Sequence, residues 1–345
     1  MRISFFFATP KRISATNFVA GGAEMAAKGL GDALALRGHD VHYYGNCEVS
    51  DQFHEYAEFF VAEHDRIIAV RASDALFRPV KCERIVLWSG DAYDQPNNYL
   101  LNAIMVVNRL HKVVFKSQWQ LVSNLEHFPV LAESGKAITM PNGVNPAHYF
   151  APETTETQTG FICTSRIFRG VDRFVHIWPE IYKEFGMELN LYANISGLYD
   201  DAPERDAAYK REFAALRELN GLNIKATLPQ TDIIAEMHKH YLMLYPNSDF
   251  MESSCNSALE SMCAGTPVIT TEKAGLPETI KLGFGKLIPD NLPLTEYTKR
   301  MIAHIKWFLD NDKRYSDWNT KRRWKLIDKF AWSKVAEQWE SEVLS

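Results

Sequence analysis

The 345-residue sequence has little of several things that would fix a protein class at once. Its five cysteines (Cys47, Cys82, Cys163, Cys255 and Cys263) are scattered and odd in number. That excludes a disulfide scaffold and any zinc site built on paired-cysteine spacing. It fits a reducing compartment, so a cytoplasmic location is expected. No apolar run approaches the roughly 20 residues of a membrane-spanning helix. The apolar opening Met1-Arg2-Ile3-Ser4-Phe5-Phe6-Phe7-Ala8 is too short for a signal peptide, and Pro10-Lys11-Arg12 stands where a cleavage site would be. It reads as a first strand. A net charge of −5 exerts no global pull on nucleic acid or anionic lipid. No Asp-x-Asp sits in a suitable loop, so no metal ion is implied, and nothing repeats at a solenoid period.

What remains is an ordinary globular composition, 46% hydrophobic and 23% charged. The length exceeds the size at which one hydrophobic core stops growing, so two domains are expected. After the first strand, Thr9 to Gly22 reads as a polar, glycine-ended loop. Ala23 to Arg37 is a helix closed by Gly38, and Val41-His42-Tyr43-Tyr44 is a second strand. This β-α-β opening predicts a parallel sheet. Strand-like runs recur at Arg66–Val70, Ile85–Trp88, Val113–Lys116 and Ala137–Met140. The turn-rich Pro141-Asn142-Gly143-Val144-Asn145-Pro146 and the low-hydrophobicity stretch Pro152 to Thr159 then mark a boundary. Domains are expected at 1–150 and 151–330, with a C-terminal helix of about 331–345 completing the first. The second half restarts at Gly160-Phe161-Ile162-Cys163-Thr164 and alternates strand and helix to about residue 290.

The most informative stretch runs from Tyr245 to Glu278. Leu242-Met243-Leu244-Tyr245 is a short buried strand that Pro246 and Asn247 end. A polar loop follows, then Ala258, Leu259, Met262 and Cys263 at helical spacing, stopped by Gly265 and Pro267. Val268-Ile269-Thr270-Thr271 is the next strand. Glu252 therefore lies in a loop at a strand's carboxyl end, where open α/β sheets bind ligands. Glu260 is expected about two turns into the helix behind it, roughly 12 Å further along. One carboxylate at the mouth and another beneath suit a ligand with sugar hydroxyls at both ends.

This string, Glu252-Ser-Ser-Cys-Asn-Ser-Ala-Leu-Glu260 through Gly265-Thr266-Pro267-Val268 and Ala274-Gly275-Leu276-Pro277-Glu278, resembles the signature of retaining GT-B glycosyltransferases, family 4-like. Four further segments resemble the same family. They are Gly21-Gly22-Ala23-Glu24 with Gly38-His39-Asp40-Val41, the linker Met140-Pro141-Asn142-Gly143-Val144-Asn145, the second-domain opening Thr164-Ser165-Arg166-Ile167-Phe168-Arg169-Gly170, and Phe330-Ala331-Trp332-Ser333-Lys334-Val335-Ala336. The resemblance covers nearly the whole chain and is firmest in the second domain. It departs from the family at three places. The Arg166–Arg169 gap is shorter than usual and its second cation is arginine. Ser253, Ser254 and Cys255 replace glycines. In Trp88-Ser89-Gly90-Asp91, Gly90 stands where a histidine is often carried.

The resemblance implies an α/β, GT-B architecture: two Rossmann-like doubly wound domains facing a central cleft, acceptor side first and nucleotide-sugar side second. It implies a hexosyltransferase-like, retaining enzyme moving sugar from a UDP- or GDP-sugar type of donor without a metal cofactor. Glu252 would hold the donor sugar and Glu260 the ribose. Arg166 and Arg169, with the amides of Cys255, Asn256 and Ser257, would meet the diphosphate. Gly21 and Gly22 would let backbone approach the ligand, and Asp91 is the remaining candidate catalytic group. The acceptor is left open among glycan, lipid-linked, nucleic-acid and small-molecule classes. Two rivals are a catalytically inactive sugar- or polyanion-binding protein on the same scaffold and a GT-B epimerase. A phosphorylase would need a cofactor-lysine context that is absent. The segment Lys299 to Lys334 has eleven Lys or Arg against four Asp, with four tryptophans. It reads as the charged face of packed helices, with peripheral membrane or nucleic-acid contact as the alternative.

Overall fold

The computed structural model describes residues 1–7, 12–14, 21–72, 74–150, 158–193, 203–311, 318 and 322–345. Most of the loop between Thr9 and Gly22, and most of the stretch from Pro152 to Thr159, lie outside these residues, as does part of the basic segment after 311. The chain forms two compact units, Met1–Asn145 with Asp328–Ser345, and Pro146–Ile327. The boundaries fall a few residues before those expected at 150 and 330.

The first unit is a seven-stranded sheet in the order β3-β2-β1-β4-β5-β6-β7, with every pairing parallel. The strands are β1 (Arg2–Phe7), β2 (Asp40–Gly45), β3 (Phe53–Glu55), β4 (Glu63–Val70), β5 (Lys81–Trp88), β6 (Leu110–Phe115) and β7 (Ala137–Thr139). Side chains alternate between two buried faces, which is why the strands read as continuous apolar runs. Phe5, Phe7, Val70 and Trp88 enter one core, and Phe6, Ile67, Leu87 and Phe115 the other. β3 is only three residues long and pairs at the edge. Its sequence, Phe-His-Glu, carries no apolar period, so no strand was expected there.

The helix Trp332–Trp339 belongs to this unit. Trp339 is fully buried with its ring centroid 4.9 Å from that of Trp88, while Trp332 lies against Gly29 and Gly143. A Cβ at Gly29 or Gly143 would stand 2.3 or 2.5 Å from the Trp332 ring. The linker glycine thus makes room for an indole. Of the other C-terminal tryptophans, Trp318 stacks on Phe284, Trp324 on Phe150, and Trp307 meets Phe284 and Phe308 edge-on. All four are packing residues, in line with the packed-helix reading of that segment.

The second unit is a six-stranded sheet in the order β10-β9-β8-β11-β12-β13, again parallel throughout. Its strands are β8 (Phe161–Cys163), β9 (Leu189–Tyr192), β10 (Leu222–Lys225), β11 (Leu242–Tyr245), β12 (Val268–Glu272) and β13 (Gly285–Pro289). The order runs outward from β8 in one direction and from β11 in the other. The crevice at their carboxyl ends is therefore the topological switch point, where loops diverge to opposite sides and leave room for a ligand.

Candidate active site

Around that switch point the structure brings together Thr164 and Arg169 after β8, Tyr192 at the end of β9, Tyr245 at the end of β11, Glu252 in the following loop, and Ser257 and Glu260 on the next helix, Asn256–Cys263. Glu252 is 4% exposed. Arg169 Nη1 donates to both of its carboxylate oxygens, at 2.9 and 3.2 Å, and Tyr245 Oη donates to Oε2 at 2.9 Å. Burial works against the Arg169 charge, but the Glu252 carboxylate outweighs it and raises the guanidinium above its ordinary pKa. Burial and then the same carboxylate push the Tyr245 phenol well above its usual range, so it remains a donor. Arg169 also faces the Phe250 ring at 4.4 Å, and its Nε has no hydrogen-bond partner.

Two close backbone approaches hold this loop in place. Gly170 has φ +89°, and a Cβ there would lie 2.4 Å from the Pro246 carbonyl oxygen. The Gly275 amide donates to the Glu252 carbonyl at 2.8 Å, and a Cβ there would lie 2.4 Å from the Ser253 oxygen. Both positions require glycine, the first for its left-handed backbone as well as for space.

A pocket of about 160 Å³ opens beside this cluster, lined by Thr164, Tyr192, Leu228, Ile233, Met237 and Glu260 among others. Its walls mix the apolar side chains of Leu228, Ile233 and Met237 with the polar ones of Thr164, Thr227, Ser257 and Glu260. Gln230 Nε2 donates to Glu260 Oε1 at 2.7 Å, and burial nevertheless raises the Glu260 carboxyl to about 7. Thr164 Oγ1 is buried without a hydrogen-bond partner. Cys255 is the N-cap of the Asn256–Cys263 helix and makes no side-chain capping hydrogen bond. The amides of Asn256 and Ser257 open that helix, where partial positive charge collects.

Two sequence expectations need correction. The helix begins at Asn256, so Glu260 lies little more than one turn in rather than two. The carboxylates also exchange places: Glu252 is the deeply buried one, and Glu260 faces the pocket half-buried. Glu252 is expected at the mouth, but Arg169 neutralises the carboxylate and lets it be buried. Arg166 is exposed, and Arg169 is committed to Glu252. Tyr245 and Gln230 were missed as site residues; each was hidden inside a strand or helix pattern. Asp91, Gly21 and Gly22 lie in the first unit. Asp91 is 2% exposed, with Oδ1 paired to Arg71 at 2.7 Å and Oδ2 accepting from Asn97 at 2.8 Å. Gly21 caps the helix Gly22–Leu36 with an extended φ of −69°, so it is not there for a left-handed backbone.

Residues 145–324 match the family model described as glycosyl transferases group 1, which spans more than half of the chain. The chain belongs to the glycosyl transferases group 1 family. Solved structures agree in fold over almost the full length. Sucrose-phosphate synthase from Thermosynechococcus elongatus superposes with a TM-score of 0.72 at 14% identity, covering 99% of this chain and 97% of that one. HepE from Anabaena, solved with UDP and glucose, gives 0.70 at 13%, covering 99% and 98%. A glycosyltransferase from Rickettsia africae gives 0.71 at 16%, covering 99% and 97%. These likenesses establish the GT-B class of two Rossmann-like parallel-sheet domains. No curated protein sequence matches the chain. Among the described residues no helix is long and apolar enough to cross a membrane, and no group of three or more His, Cys, Asp or Glu could hold a metal ion.

Proposed function

We propose that this family member is a retaining, metal-independent transferase that moves a sugar from a nucleoside diphosphate sugar to an acceptor hydroxyl. The observation that carries this reading is the buried Glu252–Arg169–Tyr245 cluster beside a pocket lined by Glu260, Leu228, Ile233 and Met237 at the second sheet's switch point. The nucleoside occupies the pocket, its base against Leu228, Ile233 and Met237 and its ribose hydroxyls donating to Glu260. The diphosphate meets the amides of Asn256 and Ser257 and the Arg166 guanidinium, fixed dipoles and charge that need no reorganisation as the leaving group gains charge. Glu252, held by Arg169 and Tyr245, accepts from the sugar's hydroxyls. The anomeric carbon's bond to the diphosphate oxygen breaks, and its bond to the acceptor oxygen forms on the same face. The acceptor's proton leaves with the diphosphate. Neither glutamate is a nucleophile: Glu252 is already committed to two donors. HepE, a structural relative, is solved with UDP and glucose, which supports this class of donor.

The test is a melting-temperature screen of UDP, GDP and ADP followed by transfer assays with the sugar forms of whichever diphosphate stabilises. Occupying a site at 100 times its dissociation constant stabilises by about 2.7 kcal/mol. Absence of any stabilising diphosphate would remove the donor reading. Binding without turnover toward any acceptor would favour a binding protein on this scaffold.

A further inference from the structure

At the carboxyl ends of β4, β5 and β6, three neighbours in the first sheet, the chain places Arg71, Gly90 and Lys116. The register aligns Val70 with Trp88 and Trp88 with Val114, so these residues emerge side by side. Arg71 adopts φ +54°, a left-handed backbone that a side chain as large as arginine rarely takes, and its amide donates to the Trp88 carbonyl at 3.1 Å. Its guanidinium is held at 2.7 Å by Asp91, yet 42% of the side chain remains exposed. Asp91 is itself fixed: Asn97 donates to its carboxylate at 2.8 Å, and Gln120 and Asn98 donate to its carbonyl at 2.7 and 2.9 Å.

Gly90 lies beneath the two cations. A Cβ at this position would stand 3.1 Å from Lys116 Nζ and 3.2 Å from Arg71 Cδ. The missing side chain is what lets the two cationic side chains approach each other over one point of backbone. Lys116 Nζ lies 5.8 Å from the Trp88 ring centroid, a second contact that orients it. No Asp or Glu occurs between Gln95 and Leu125, so β6 brings no carboxylate, and Glu126, exposed at the far end of the helix Gln118–His127, is the only one that helix carries. With Asp91 balancing one cation, the cluster carries a net charge of +1.

We infer that Arg71 and Lys116 form an oxyanion subsite in the first unit, built to take the phosphate monoester of a small phosphorylated acceptor. Asp91 is a positioning residue that aims the guanidinium. A planar fork beside a point charge suits a phosphate better than a neutral hydroxyl, because each ionised contact gains from the ligand's charge. This inference deepens the transferase reading and rests on it for the word acceptor; the anion subsite itself does not.

The experiment titrates inorganic phosphate into the full chain by calorimetry at constant ionic strength, with and without a saturating nucleoside diphosphate. Wild type should bind phosphate in both conditions. Lys116→Met should weaken it by about tenfold or more, the loss expected of one charge-assisted contact, and Lys116→Arg should restore most of it. Gly90→Ala should also weaken it by crowding Lys116. Melting temperatures identify any variant that fails to fold, and Lys116→Arg keeps the test readable if Lys116→Met does. In transfer assays Lys116→Met should raise KM for a hexose phosphate and leave that for the unphosphorylated hexose unchanged. Equal phosphate affinity in wild type and Lys116→Met, or complete displacement of phosphate by the nucleotide, overturns the subsite. If no nucleoside diphosphate binds while the Lys116-dependent phosphate response persists, the donor reading fails and the subsite stands.

Discussion

Burial holds the Glu260 carboxyl at about 7 against an ordinary value near 4.5, and the sign of its effect on stability follows from that. Between those values the folded chain keeps a proton that the unfolded chain has released. Stability from this group is therefore greatest at low pH and falls as pH rises from about 4.5 to about 7. Glu260→Gln removes the penalty, so melting temperature should decline less across that window in the variant than in wild type. Nucleotide affinity behaves oppositely: a carboxylate accepts ribose hydroxyls better than a neutral acid, so binding should strengthen through neutral pH in wild type. The same titration on Glu260→Gln subtracts the nucleotide's own proton. The two glutamates should also separate kinetically. Loss of the ribose acceptor raises KM, whereas Glu252→Gln should lower kcat more than affinity, because it loosens the sugar at the reacting carbon. Normal turnover of Glu252→Gln at saturating donor would reverse these roles. Arg169→Ala leaves Glu252 buried without its ion pair and should cost about 3 kcal/mol of stability, measurable by denaturant unfolding.

Elements decide how well such residues are held. The Glu252 loop is clamped from outside by Gly275, which no side chain can replace without moving the Ser253 carbonyl. Gly275→Ala should leave the β11–β12 pairing intact yet displace the loop, so that nucleoside diphosphate binding persists while transfer falls. Unchanged transfer would show that loop position does not matter. The strands and the Asn256–Cys263 helix were readable from sequence because apolar runs, glycines and prolines punctuate them. β11 falls on the four residues expected, Leu242–Tyr245. The depth of Glu252 was not readable. Its neutralising partner comes from 83 residues earlier in the chain, and no local pattern announces a contact of that span. Short, period-free β3 was missed for the complementary reason: its pairing with β2, not its own sequence, makes it a strand.

For the whole molecule, the donor site proposed above meets the diphosphate with helix amides and the Arg166 guanidinium rather than with clustered carboxylates, so transfer should persist in excess chelator. Loss of turnover in chelator, restored by magnesium or manganese, would expose a missing ion. Removing Asp328–Ser345 would strip Trp339, Val343 and Leu344 from the first core and break the Arg66–Leu344 hydrogen bond. Deleting one large buried aromatic alone costs about 3–5 kcal/mol, so residues 1–145 should become protease-sensitive in the truncated protein. The first unit is also interrupted by the second in sequence: its last helix follows Ile327. During synthesis the entire second unit therefore leaves the ribosome before the first can bury Trp88 against Trp339. The nascent chain makes its second unit in one continuous stretch, while the earlier-made unit waits, open along one face, for its closing strap.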